Sequence, residues 1–181
     1  MKDAPPHKSG SSAPGRSSGS LTHLDAGGDA TMVDVGHKDV TARRAVARGV
    51  LRCSSRAFAL LTGDANPKGD VQQVARVAGI MAGKRTGELI PLCHILPGAS
   101  VSVEIEPDAT LPGLRATATA TIAGRTGVEM EALTAVSVAL LTAYDMLKAV
   151  DRGMRIESVE LVGKAGGRSG EWQRDEGAGK E

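Results

Sequence analysis

"SVSVEIEPDATLPGLRATATATIAG" occupies Ser100–Gly124, and its reading decides the fold. Its first arm alternates Val101, Val103 and Ile105 against Ser102, Glu104 and Glu106. Its second arm alternates Leu114, Ala116, Ala118, Ala120 and Ile122 against Arg115, Thr117, Thr119 and Thr121. Such alternation sends one set to each face of a sheet. Pro107, Asp108, Pro112 and Gly113 lie between the arms as turn formers, so the stretch is a hairpin. The small Ala and Thr side chains of the second arm leave one face able to accept another subunit.

Downstream, "GVEMEALTAVSVALLTAYDMLKAVDRG" (127–153) carries no charge between Ala132 and Tyr144. It reads as a helix packed round most of its circumference, opening with Glu129 and Glu131 and closing with Asp145 and Lys148. "MRIESVELVGK" (154–164) follows as a strand. Its inward set shifts from Met154 and Ile156 to Val159 and Leu161, which calls for a bulge near Glu157.

Upstream, "RRAVARGVLRCSS" (43–55) reads as a strand with β-formers on both faces, and "ATMVDVG" (30–36) as a short leading strand. "GDVQQVARVAGIMAGKRTGEL" (69–89) spaces Val71, Val74, Ala75, Ala78 and Met81 as an amphipathic helix. Pro91 and Pro97 bracket "LCHIL" and predict extended backbone there. The order strand–helix–strand–strand–helix–strand is the split βαβ, or ferredoxin-like, arrangement. It is an α+β fold whose antiparallel sheet carries two helices on one face.

The 181 residues suit one domain. Residues 1–20, rich in Ser, Gly and Pro, cannot bury enough surface to offset ordering entropy and read as a disordered tail. The folded domain is expected over 21–172, with a flexible tail over 173–181. A formal net charge of +1 gives no global field for nucleic acid or an anionic membrane. Aromatics make up 2% of the chain, too few for a base-stacking platform. The apolar helix is interrupted by Thr134, Ser137 and Thr142 and falls short of the ~20 predominantly apolar residues of a membrane span. Cys53 and Cys93 have no metal spacing, and no signal peptide is visible, so reduced thiols in a cytoplasmic protein are expected.

The charges flanking the long helix carry the chemistry. Asp145 and Lys148 are neighbours on one helix face, where a solvated ion pair is the ordinary reading. Glu129 and Glu131 complement a helix N-terminus. Glu131 and Asp145 lie about 40° apart around the axis but roughly 21 Å apart along it. They cannot form one dyad within a chain, so they serve a long ligand or a site built between subunits.

Lys68, in "NPKGD", opposes the dipole of the helix it precedes and suits an anion, as well as being an ordinary loop lysine. Lys84 sits where a helix C-terminus favours a cation. Cys93 and His94 are adjacent on extended backbone and point to opposite faces, against a nucleophilic pair. "GKAGGRSGEW" (163–172) is a glycine-rich basic exit loop without the P-loop pattern. Lys68, Lys84, Lys148, Lys164 and Arg168 with Arg43 could cover a polyphosphate, leaving carboxylates for proton transfer.

Three stretches closely resemble the MoaC family, the cyclic pyranopterin monophosphate synthases of molybdenum cofactor biosynthesis. They are "KGDVQQVARVAGIMAGKRTGELIPLCHIL", "TGVEMEALTAVSVALLTAYDMLKAV" and "KAGGRSGEW", supported by "LTHLD" and "MVDVGHK". The resemblance spans Leu21 to about Trp172. It implies a homohexamer, a trimer of dimers, with active sites shared between subunits. It also implies conversion of 3′,8-cyclo-7,8-dihydro-GTP to cyclic pyranopterin monophosphate with release of pyrophosphate. By the same resemblance Asp145, Lys68 and Lys148 are catalytic. Leu92, Cys93, His94, Met130 and Glu131 contact substrate, and Glu129, Lys84, Lys164 and Arg43 match further site positions. No protein-bound metal and no required cofactor are expected; whether a divalent cation accompanies the phosphates stays open.

Two departures stand out: Ile95 where the family usually has proline, and Ala165 and Arg168 in the exit loop where serine and lysine are commoner. The competing reading is an oligomeric sensor or inactive paralogue that binds a phosphorylated nucleotide without changing it.

Overall fold

A computed structural model describes residues 27–63 and 69–175. The chain divides into two units, Met1–Val33 and Asp34–Glu181. Of the first, residues 27–33 are described and hold only a turn and one isolated bridge residue, Ala30. The tail expected over 1–20 lies outside the described residues, as does Lys68.

The second unit runs β1 (Thr41–Arg52), α1 (Ser55–Thr62), α2 (Val71–Gly83), α3 (Thr86–Leu89), β2 (Ser100–Asp108), β3 (Gly113–Gly124), α4 (Glu129–Leu147), β4 (Arg155–Ala165) and β5 (Trp172–Gln173). The sheet order is β2-β3-β1-β4-β5, antiparallel throughout. Its first four strands give the ferredoxin-like order, and the two-residue β5 extends the β4 edge. The hairpin forms as expected: Val101, Val103, Ile105, Leu114, Ala116, Ala118 and Ala120 are all buried. The core lies between this face and α4, where Ala132, Ala135, Val136, Ala139, Leu140 and Ala143 are inaccessible.

Small residues set the spacing. A Cβ on Gly49 of β1 would lie 2.6 Å from Val136 Cγ1, so α4 rests on the bare strand backbone. A Cβ on Gly79 of α2 would lie 2.8 Å from the Ala135 carbonyl oxygen. This close crossing corrects the expected apolar face of α2. Val71, Ala75, Gly79, Ala82 and Gly83 are buried, while Val74 and Met81 are about half exposed at 44% and 52%. Side-chain size, not hydrophobicity, chooses the stripe.

Four further expectations are corrected. The leading strand over 30–36 does not form; Gly36 N–H donates to Asp34 Oδ1 and Lys38 N–H to Val35 O, so local turns win. The strand beginning near Arg43 stops at Arg52, because Ser54 caps α1 by accepting from Ala57 N–H. The helix over 69–89 breaks at Lys84–Arg85 into α2 and α3. "LCHIL" does not begin extended: Cys93 N–H donates to Ile90 O and Leu92 has φ 58°, the pattern of a type II turn with Pro91 leading.

The bulge in β4 is where parity placed it. Val50 pairs with Ser158 and Leu51 with Ile156, leaving Glu157 extra. A second bulge omits Val162, since Val46 pairs with Gly163 and Ala47 with Leu161. Val159 pairs with Gly49 and so shares the helix-facing side, yet it is 37% exposed at the margin of α4.

Candidate active site

Where β1 begins, β3 ends and α4 starts, charged side chains are packed against backbone. Arg43 donates through Nε to Gly124 O at 3.3 Å and through Nη2 to Arg125 O at 3.4 Å. The loop leaving β4 presses on it, with Gly167 at φ 74° and no room for a side chain. A Cβ there would lie 1.5 Å from Arg43 Nη1. Lys164 Nζ lies 3.2 Å from Glu129 Oε1 and also donates to Ser169 Oγ at 3.0 Å. The Glu129 carboxylate in turn lies on Gly127, where a Cβ would come within 1.8 Å of Oε2.

These groups border a cavity of about 650 Å³, joined by Lys38, Arg44, Arg125 and Arg168 with His37 and Asp39. The volume is that of a small-molecule site, and the excess of cations suits a polyanion. The Thr41 hydroxyl in its wall is buried with no hydrogen-bond partner among the described residues.

Glu131, two residues further into α4, is 3% exposed. Burial pushes its carboxyl up from the ordinary value; its own backbone N–H opposes the shift and Glu129 adds to it. Cys93 is half-buried, and its thiol is pushed up first by burial and then by the Glu131 charge, against a hydrogen bond from the His94 backbone. A raised thiol is a poor nucleophile at neutral pH, so Cys93 fits a packing or contact role. Leu92 holds its left-handed backbone at a cost of roughly 1–3 kcal/mol, a type of strain that concentrates at ligand sites.

Asp145 and Lys148 stand at the other end of α4. They form an ion pair on the solvent side, with side chains 64% and 53% exposed. Lys148 borders a second cavity of about 350 Å³ with Tyr144, Ala149 and Arg152. Tyr144 Oη donates to Arg152 O at 3.0 Å, and Asp151 accepts from Ser54 N–H at 2.7 Å and Gly153 N–H at 2.8 Å, so the turn after α4 is pinned. Those backbone and hydroxyl donors, Ser54 N–H foremost, hold the Asp151 carboxyl below its ordinary value.

Within one chain, then, the residues expected to cooperate form two groups. Arg43, Glu129, Lys164 and Arg168 meet at the first cavity, and Cys93 and Glu131 interact near α4's first turns. Asp145 and Lys148 lie some fourteen residues along the helix, roughly 21 Å. Met130 is 37% exposed and Lys84 is exposed at the end of α2.

The helix N-terminus beside Lys68 is not free for an anion, because Asp70 accepts from Gln72 and Gln73 N–H. Sequence reasoning missed Lys38, Arg44 and Arg125. The runs "HKDVTARR" (37–44) and "GRTG" (124–127) show their charge, but nothing local shows that the loop over 36–39 reaches Arg125, 89 residues from Gly36.

The MoaC family model matches residues 32–167. A Brucella ovis protein named cyclic pyranopterin monophosphate synthase is 59% identical over 155 residues, covering 86% of this chain and 94% of the relative. Relatives of the same name from Chloroflexus aurantiacus and Chloroflexus aggregans are 60% and 58% identical over 154 and 158 residues. They cover 85% and 87% of this chain, and 94% and 96% of the relatives. With the family match spanning most of the folded unit and near-full-length relatives at this identity, the chain belongs to the MoaC family.

Proposed function

We propose that this chain is a cyclic pyranopterin monophosphate synthase of molybdenum cofactor biosynthesis. It converts 3′,8-cyclo-7,8-dihydro-GTP to cyclic pyranopterin monophosphate and releases pyrophosphate. The observation that carries the reading is 59% identity over 94% of a relative bearing that name. The cation-rich cavity beside Glu129 supports it, since a triphosphate needs several cations to bind and to stabilise charge as pyrophosphate departs.

Closing the cyclic phosphate requires a substrate hydroxyl to attack the α-phosphorus as the bond to the β-phosphate oxygen breaks. Rearranging the purine-derived ring requires proton transfer, for which Asp145 is the donor, while Lys68 and Lys148 stabilise the anionic intermediates.

The separation of the two groups along α4 supports a site completed by another copy of the chain, and we assign a homohexamer arranged as a trimer of dimers. No required cofactor is proposed; a divalent cation, where one takes part, arrives with the phosphates. The cytoplasm is the proposed compartment. Contrary to the sequence expectation, the 19 residues of α4 are long and apolar enough to cross a membrane by length and composition, but half of the most apolar window is buried inside the fold, as in a core helix.

Anaerobic turnover of 3′,8-cyclo-7,8-dihydro-GTP, with product and pyrophosphate followed by chromatography, tests the reading. Wild type is expected to form both and folded Lys68→Ala neither. Tight binding by wild type without product would move the chain to the sensor or inactive-paralogue reading.

A further inference from the structure

Arg125 sits at the junction between β3 and α4, and its two ends do different things. Its side chain donates through Nη1 to Gly36 O at 2.9 Å, across 89 residues. Its own carbonyl accepts from Arg43 Nη2 at 3.4 Å, beside the bond from Arg43 Nε to Gly124 O. The loop it grips also carries short-range bonds, from Gly36 N–H to Asp34 Oδ1 at 2.8 Å and from Lys38 N–H to Val35 O at 3.0 Å. Those bonds give the loop a shape without giving it a position. The two residues that follow Gly36, His37 and Lys38, border the same cavity as Arg43 and Lys164.

We infer that Arg125 is a positioning residue: its guanidinium anchors the loop over 34–39, and so places Lys38 over the cavity that takes the substrate phosphates. A guanidinium bonded to a neutral carbonyl keeps its charge and offers directional N–H groups, so it can hold the loop while adding to the field of the cavity. A cation that already meets the triphosphate in the bound substrate contributes chiefly to ground-state binding, and the other cations of the cavity remain for the departing pyrophosphate, so its loss raises KM much more than it lowers kcat. The inference rests on the proposed activity for its kinetic half, and on geometry alone for its structural half.

Wild type, Arg125→Ala and Arg125→Lys would be compared by turnover of 3′,8-cyclo-7,8-dihydro-GTP, by calorimetric binding of inorganic tripolyphosphate, and by amide hydrogen exchange. In Arg125→Ala, amides over 36–40 exchange faster while those of β3 keep their protection. KM for the substrate and Kd for tripolyphosphate rise about tenfold, the size of one lost charge-assisted hydrogen bond, with kcat held within about threefold. Arg125→Lys, able to reach the Gly36 carbonyl with one N–H, recovers part of both.

Unchanged exchange over 36–40 in Arg125→Ala would overturn the anchoring role. Faster exchange with unaltered KM and Kd would overturn its link to phosphate binding. A fall in kcat at constant KM would place Arg125 in the chemistry instead. If wild type makes no product, the proposed activity fails, while exchange and tripolyphosphate binding still decide the inference about Arg125.

Discussion

Lys164 Nζ and Glu129 Oε1, 3.2 Å apart, tie the end of the last long strand to the first turn of the central helix. Both side chains are 29% exposed. Such a partly solvated pair contributes about 0.2–1 kcal/mol to stability, whereas a cation touching substrate phosphates matters far more to binding. Lys164→Ala is therefore expected to shift the melting temperature by no more than a few degrees while raising KM at least tenfold. Thermal melts beside steady-state kinetics check this. A large loss of stability with normal kinetics would make the pair a structural tie only.

Asp145 and Lys148 form an exposed pair, worth about 0.3 kcal/mol. Asp145→Asn should melt like wild type and lose about 10²-fold or more in kcat, the range of a general acid. Because the two charge groups lie at opposite ends of α4, a site shared between copies permits complementation. Subunits of Asp145→Asn and Lys164→Ala, unfolded together and reassembled, should show more activity at substrate concentrations below the raised KM than the two variants do assayed apart. No recovery from a correctly assembled mixture would count against sharing.

Asp108 and Glu131 should respond to pH with opposite signs. The Thr110 hydroxyl and then the Arg115 guanidinium lower the Asp108 carboxyl from 3.8 to about 2. Between those values the unfolded chain binds more protons than the fold, so stability present above pH 3.8 is lost as pH falls toward 2. Glu131 is raised above 4.5, chiefly by burial, so the fold binds more protons there and loses stability as pH rises through the raised value. Asp108→Asn should flatten the acid limb of a melting-temperature profile. Glu131→Gln should gain on wild type as pH rises above 4.5. Parallel profiles for wild type and Glu131→Gln would show that the carboxyl is not buried as described.

Gly79→Ala sets two effects against each other. Alanine in place of glycine favours a helix by about 1 kcal/mol. Here its Cβ would meet Ala135 O at 2.8 Å, Ala139 Cβ at 3.1 Å and Val103 Cγ2 at 3.2 Å. Backbone and core atoms cannot swing away, and overpacking costs about 1–3 kcal/mol, so net destabilisation is expected in denaturant titrations. Stabilisation would mean that α2 slides readily on α4.

The hairpin was legible because its period of two is written residue by residue, and the bulge at Glu157 because parity visibly changes there. The bulge at Val162 was not, since Leu161, Val162 and Gly163 show no alternation to break. The buried stripe of α2 was misread because Gly79 and Gly83 carry no hydrophobic signal, though their smallness is what lets α4 approach. The short helix α1 hid behind Ser54, whose capping role competes with the strand that precedes it. In the site, the acids of α4 and the exit-loop cations were legible from charge set against an apolar helix. Lys38 and Arg125 were not, because they are brought together by the meeting of distant segments, marked by the bond from Arg125 to Gly36 O.

The helix α4 also acts as a gauge. It carries Glu129 and Glu131 at one end and Asp145 at the other in a single uninterrupted run. One residue inserted between Ala132 and Tyr144 would swing Asp145 by about 100° and advance it ~1.5 Å relative to the acids at the start. That would turn the second group away from whatever completes it. Substitutions within this stretch alter how tightly the core packs, but an insertion or deletion changes which way the chemistry faces. The turn between β2 and β3 carries none of the proposed site residues and is free of that constraint. Drift in length can therefore accumulate at that turn, while the residue count of α4 has to be inherited intact.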